Sequence, residues 1–361
     1  MTGVVAPVAP GAAARPGADE GAALVAGLRG ARRAKEVRVT CAVVVVVLVG
    51  VVLALAVGDY ALSLRGALRA LVASGDALDR TIVWELRLPR AALAVSVGAA
   101  LGLAGGVFQT LFANPLASPD LLGVSGGATV AAVVALLVLG WSGGAVAGAA
   151  FVGAAVVAAG LHLVSRGGVA HDRDTGHRFV LTGVAVSFLC SAIVAYLLSR
   201  AQLRAAQSAL VWTAGSLGAA RWSEVLVVVG GLVVFGSAAV LLAPRLRALQ
   251  LGPETATGLG VGVARSRALL LGASVGLVAS ATSVVGPVAF VALCAPPVAR
   301  RLVGTGSPAL PAVAAVGAAM VVHADLVAQH ALPSTSLPTG VVTGAIGAPY
   351  LLWLLSRGGR T

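Results

Sequence analysis

The sequence predicts an all-α, polytopic membrane protein with about ten transmembrane helices. Three observations carry this. Hydrophobic residues make up 58% of the 361 and charged residues 11%, more apolar surface than a water-soluble fold of this length can hide. The apolar residues fall in blocks of roughly 18 to 25, enough to cross about 30 Å of hydrocarbon at the helical rise of about 1.5 Å per residue. Period-two alternation is missing from these blocks, so each satisfies its own backbone as a helix rather than as a barrel strand.

Taken in order, residues 1–39 are rich in Ala, Gly and Pro and then basic, which predicts a disordered cytoplasmic tail ahead of one transmembrane domain over 40–358. Arg29 through Ala56 shares the layout of a secretory signal, with Ala54-Leu55-Ala56 as a small-x-small site. Its distance from the N-terminus favours an uncleaved first span. The spans are placed at 41–58, 91–113, 122–140, 144–164, 179–199, 224–243, 268–285, 286–299, 309–328 and 338–356. In the second, Gly98, Gly102 and Gly106 recur every four residues; that leaves one face almost bare backbone and predicts a central helix with close neighbours. After it comes FANPLASPDLLGVSGGA. Pro115 and Pro119 remove backbone donors and bias Asn114 and Ser118 away from helix, while Ser118 and Asp120 suit the capping of the next one. Broken backbone at this depth needs cover from protein or from a water-filled cavity.

Charge sets the orientation. With the N-terminus inside, Arg15, Arg29, Arg32, Arg33, Lys35 and Arg38, then Arg166, Arg173 and Arg178, then Arg245, Arg247, Arg265 and Arg267, then Arg300 and Arg301, and finally Arg357 and Arg360 are cytoplasmic. Arg65, Arg69, Arg80, Arg87, Arg90, Arg200, Arg204 and Arg221 fall outside, and both termini are inside. A net charge of +12 does not indicate nucleic acid here, because aromatic residues are only 4% of the chain and are not interleaved with a basic stripe. Cys41, Cys190 and Cys294 lie singly in apolar blocks and read as small hydrophobes. No catalytic residues, metal ligands or cofactor site are expected: no His pair has metal-ligand spacing, and there is no G-x-x-x-x-G-K-[ST] to cradle nucleotide phosphates.

The loop ALQLGPETATGLGVGVARSR, residues 248–267, predicts a short helix. Pro253 suits a first turn, Glu254 complements the N-terminal dipole, and Gly258 and Gly260 end it between flanking arginines.

Several motifs in one order resemble the FecCD-type permeases of ABC importers for ferric siderophores, haem and cobalamin. They are R-x-P-R (Arg87, Pro89, Arg90); Q-x-x-x-x-N-P-L-A-x-P-x-x-L-G-x-x-x-G-A from Gln109 to Ala128; L-T-G-V-A from Leu181; W-x-x-G-S-L from Trp212; L-G-x-x-x-A-x-x-L-G-V from Leu251; G-P-V-A-F-V from Gly286; A-D-L-V-A from Ala324; and L-P-T-G-V-V-T-x-x-I-G-A-P from Leu337. The resemblance covers residues 40–358. It implies the type II importer fold, a second permease copy (the same chain or a paralogue) around a central path, a pair of cytoplasmic ATPase subunits, and an extracytoplasmic substrate-binding protein, all held in membrane lipid.

The resemblance also implies site residues. The ATPase would dock on Leu251, Gly252, Pro253, Glu254, Ala256, Leu259 and Gly260. The binding protein would dock on Arg87 and Arg90 and on the position of Gln329, where the family commonly has a third arginine. The path or its gate would include Gln109, Asn114 and Pro115, and Thr175, Gly176 and His177. Two departures stand out: Gln329, which is followed by His330, and Pro297, where the family usually has His. Asp325 is an intramembrane acid and so a functional candidate, either in transport or in pairing with His323 or a backbone amide. The alternative from another class is an ion-coupled secondary transporter, which would need midplane carboxylates that the central spans almost lack.

Overall fold

A computed structural model describes residues 18–58, 60, 62–72, 74, 76–120, 123–166, 172–218, 220–304, 307–332 and 336–358. The chain runs α1 (Ala18–Ala56), α2 (Leu64–Leu71), α3 (Ala77–Thr81), a π-helical turn Ile82–Arg87, α4 (Leu88–Leu111), α5 (Val124–Leu137), α6 (Gly144–Arg166), α7 (Asp172–Arg200) and α8 (Leu203–Ala214). It continues through α9 (Trp222–Gly231), a second π turn Leu232–Gly236, α10 (Ser237–Leu241), α11 (Ala243–Leu249), α12 (Pro253–Gly258), α13 (Val263–Val285), α14 (Val291–Val303), α15 (Leu310–His330) and α16 (Thr339–Gly358). No strand occurs among the described residues.

Among those residues, 7 helices are long and apolar enough to cross a membrane, and Val124–Leu137 and Thr339–Leu354 are shorter apolar helices. α14, where the sequence predicts a further span, is not among them. The span expected as helix over 286–299 is non-helical from 286 to 290 and helical from Val291 to Val303. Gly286 at φ 73 closes α13, and Phe290 at φ 66 opens α14. The first helix also differs from expectation. It is continuous from Ala18, so residues 18–39, read as part of a disordered tail, extend the first span as helix; residues 1–17 lie outside the described set.

α4 is the central helix, with most of its length buried. The glycine spacing explains why. A Cβ on Gly98 would strike the Gly317 carbonyl, one on Gly317 would strike the Gly98 carbonyl, and one on Gly102 would lie 2.6 Å from the Val313 carbonyl. Backbones of α4 and α15 therefore touch along their length, as small-residue faces allow.

The two consecutive prolines of α14 place its carbonyls against α4. Pro296 and Pro297 have no N–H to return to the carbonyls four residues earlier, Ala292 and Leu293. The Ala292 carbonyl is pressed against Gly105, where only a missing side chain leaves room. The Leu293 carbonyl accepts from the Gln109 side-chain Nε2 at 2.9 Å. Elsewhere Ser216 N donates to Val285 O at 2.8 Å and Gly340 N to Gly215 O at 2.9 Å. These bonds join the three loops that carry W-x-x-G-S-L, G-P-V-A-F-V and L-P-T-G.

Candidate functional site

At the N-terminal end of α4, the π turn falls where Pro89 offers no N–H to the Glu85 carbonyl, and the turn delivers Arg87 and Arg90 to one rim. Arg87 folds back onto the end of α1, donating Nη1 to Leu55 O at 2.7 Å and Nη2 to Tyr60 O at 2.6 Å. It thus serves carbonyls that the helix end leaves open. Arg90 makes a two-pronged pair with Asp325: Nε to Oδ2 at 2.8 Å and Nη2 to Oδ1 at 2.9 Å. Gln329 Nε2 donates to the same Oδ2 at 2.8 Å, and Thr339 Oγ1 donates to Oδ1 at 2.8 Å. α4, α15 and α16 are tied together at this one carboxylate, whose side chain is 5% exposed.

Arg87, Arg90 and Gln329, the docking candidates, all line one cavity of about 700 Å³, shared with Asp325, Glu85, Arg221 and Tyr60. The expected pairing of Asp325 with His323 or a backbone amide is corrected. His323 Nδ1 instead bonds Ala319 O in its own helix, because i and i+2 on a helix face different directions, whereas Arg90 enters from the neighbouring helix. Gln329, one turn beyond Asp325, bonds it along the same face.

The opposite end of the bundle holds the path candidates. Gln109 is 2% exposed; with its Nε2 fixed by Leu293 O, its Oε1 faces and accepts from Arg300 Nη2. α4 ends at Leu111 and Ala113 turns at φ 47. Asn114 Oδ1 accepts from Leu116 N at 2.9 Å, an Asx turn. Pro115 is exposed. Gln109, Asn114 and Pro115 meet Gln250, Pro297, Arg300 and Arg301 around a second cavity of about 410 Å³.

The capping expected of Ser118 and Asp120 is not found. Gly123, at φ 78, is the N-cap of α5 without a side-chain bond. Ser118 Oγ accepts from Asp120 N, and Asp120 Oδ1 accepts from the Ser125 hydroxyl. Asp120 Oδ2 is buried without a partner among the described residues, and burial pushes the carboxyl upward from its ordinary value, offset in part by the Ser125 hydrogen bond. Thr175, Gly176 and His177 lie in the first turns of α7; their side chains are outside the described set.

The coupling candidates form the short helix read from the sequence. α12 opens at Pro253 after Gly252 at φ 98, and Gly260 at φ 78 turns the chain away. Ala256 is buried and anchors the stub, while Glu254 is exposed in its first turn. Leu251 and Leu259 stand 62% and 63% exposed at its two ends. An exposed leucine pair flanking a rigid stub is suited to burial by a partner protein. Sequence reasoning missed Thr339 and Arg300 as site residues; both act through contacts 14 and 191 residues away along the chain. Among the described residues, no group of three His, Cys, Asp or Glu is placed to hold a metal ion.

Comparison with known proteins accounts for this arrangement. The model of the FecCD transport family matches residues 46–357. The chain is 40% identical over 280 residues to the ferric enterobactin transport system permease protein FepG of Escherichia coli (strain K12), covering 77% of this chain and 83% of that protein. It is 40% identical over 324 residues to the achromobactin transport system permease protein CbrC of Dickeya dadantii (strain 3937), covering 89% and 91%. A solved structure described as an inward-facing conformation of a metal-chelate type ABC transporter superposes with a TM-score of 0.79 at 28% identity, covering 89% of this chain and 99% of that one. With that family match over most of its length, the chain belongs to the FecCD transport family.

Proposed function

We propose that this chain is the membrane-spanning conduit of an ATP-driven importer and passes an iron(III)–siderophore complex across the cytoplasmic membrane, with haem and cobalamin as related cargoes. Family membership is the observation that carries this reading, and the permease relatives named for ferric enterobactin and achromobactin support the cargo class. ATP is hydrolysed by separate subunits that grip α12 through Leu251, Leu259 and the Gly252–Pro253 turn. A second permease copy completes the path.

The basic flanks of α1, α11, α13 and α14 support a cytoplasmic placement of both termini and of the α12 end. The Arg90 end then faces outward, and the cavity of about 700 Å³ receives acidic groups of the binding protein, with Arg87, Arg90 and Gln329 on its wall. Closure of the ATPases moves α12, tilts the helices beside it, and alternately opens the two ends. Gln109, Asn114, Pro115 and the start of α7 at Thr175, Gly176 and His177 border the inner exit.

ATP-dependent uptake of radiolabelled ferric chelate into proteoliposomes holding the chain, its ATPase and its binding protein tests the reading. Uptake that persists without the ATPase and collapses with the proton gradient would establish the ion-coupled alternative instead.

A further inference from the structure

The cavity beside Gln109 carries more positive charge than the described residues answer. Arg300 is drawn partly out of water, yet among the described residues its one side-chain hydrogen bond runs to a neutral amide oxygen. Among the described residues, no carboxylate lines the cavity. A guanidinium in such a place is normally matched by an anion, and its fork presents several further N–H groups. Arg301 is held on the same rim by stacking on Trp353, with its guanidinium carbon 4.6 Å from the ring centroid.

The orientation is built rather than incidental. Pro297 withholds the N–H that would occupy the Leu293 carbonyl; that carbonyl takes the Gln109 Nε2, and the Gln109 oxygen is left to steer Arg300. The departure at Pro297 thus acquires a physical role, as a positioning residue for the arginine three residues on.

We infer that this cavity binds an anionic oxygen group of the cargo, a carboxylate or phenolate limb of an iron(III) chelate, on the N–H groups of Arg300 and Arg301. At about 410 Å³ it admits one limb rather than a whole complex. It lies between the broken segment after α4 and Gln250 at the foot of the coupling region, where a chelate leaving inward passes. The inference rests on the importer reading for the identity of the anion and deepens it: the inner half of the path selects for negative charge.

The test is equilibrium binding to the full chain with its ATPase, nucleotide-free, in phosphatidylcholine nanodiscs. The probes are radiolabelled ferric citrate, which is anionic, and a neutral ferric trihydroxamate. Arg300→Gln is expected to weaken ferric citrate by about tenfold or more, the order of one charge-assisted hydrogen bond, and Arg300→Lys by less. Gln250→Glu, which supplies an internal counter-charge at an exposed position, should weaken ferric citrate without touching the Gln109 contacts. Pro297→Ala should weaken it several-fold with the charge unchanged. The neutral probe should be indifferent to all of them.

Equal losses for both probes, or ferric citrate binding unaffected by Arg300→Gln and Gln250→Glu, would overturn the inference. So would displacement of ferric citrate by inorganic phosphate at equal concentration, or by added phosphatidylglycerol, which would make the site a general anion or headgroup site. ATP-driven uptake by the wild-type complex is measured in parallel. A complex that binds ferric citrate as expected but imports no chelate refutes the proposed function and leaves the anion site standing.

Discussion

Replacing Asp325 with Asn should cost about 3 kcal/mol of stability, and the figure follows from the four bonds that converge on its carboxylate, two from Arg90 and one each from Gln329 and Thr339. All of them are donated into two oxygens. An asparagine of the same shape keeps one oxygen and turns an N–H group toward two of the donors, whichever way the amide is set. One lost bond is charge-assisted, at about 1.5–3 kcal/mol, and the other is worth about 0.5–1.5 kcal/mol.

Stranding a buried partner of an ion pair costs about 3–5 kcal/mol when both groups are fully enclosed. Arg90 is 20% exposed and lines the cavity of about 700 Å³, so the lower end of that range applies. Reversible unfolding of the purified chain in mixed micelles measures the loss. Arg90→Gln combined with Asp325→Asn should recover about 1–2 kcal/mol relative to the sum of the single changes. A single-variant cost below about 0.5 kcal/mol, the scale of an unremarkable surface substitution, or strict additivity in the double variant, would refute the convergence on Asp325.

Other outcomes follow from the same packing. Gly105→Ala must displace the Ala292 carbonyl, and a cost of about 1–3 kcal/mol or more is expected in the same unfolding assay, against a few tenths for Gly230→Ala, whose Cβ meets nothing within 4 Å. Asp120→Asn should stabilise the chain at neutral pH, because the folded carboxyl is raised by burial. A raised acid contributes its stability below its unfolded value and loses it as pH rises through the folded value, so the variant's advantage should vanish as the pH falls toward the ordinary carboxylate range. Thermal unfolding of both proteins across pH checks the sign. Leu251→Ser with Leu259→Ser should weaken ATPase association about tenfold or more, read by co-purification titration, while leaving monomer unfolding within about 0.5 kcal/mol of wild type.

Most of the spans were legible because a bilayer demands long apolar runs and each run announces itself. The seam of α4 was legible too, since glycines four apart have one structural meaning in a membrane helix. α14 was not, because Gly286-Pro287 stops one helix and the next restarts at Val291, five residues on, and then runs through Pro296-Pro297, and no local rule says where the restart falls. The outcome depends on Gln109 and Gly105, which sit on another helix. Likewise Arg87 and Arg90 could be placed on one rim from their spacing, but their engagement by α1 and Asp325 is a tertiary fact. Asp325 stands 235 residues from Arg90 along the chain. The stub at Pro253 was readable for the opposite reason: its start, its stop and its exposed leucines are all set within ten residues.

At Gly98 and Gly317 each backbone lies so close to the other's carbonyl that no side chain would fit between them, so α4 and α15 pack backbone to backbone. The two helices therefore behave as one strut, about 30 Å or more in length at 1.5 Å per residue. Any alternation between the two faces of the membrane has to be hinged at its margins, where α14 begins late and the loops at Gly215, Gly286 and Gly340 meet. The carboxylate clasp at Asp325 and the amide at Gln109 therefore sit towards opposite ends of one close-packed pair of helices.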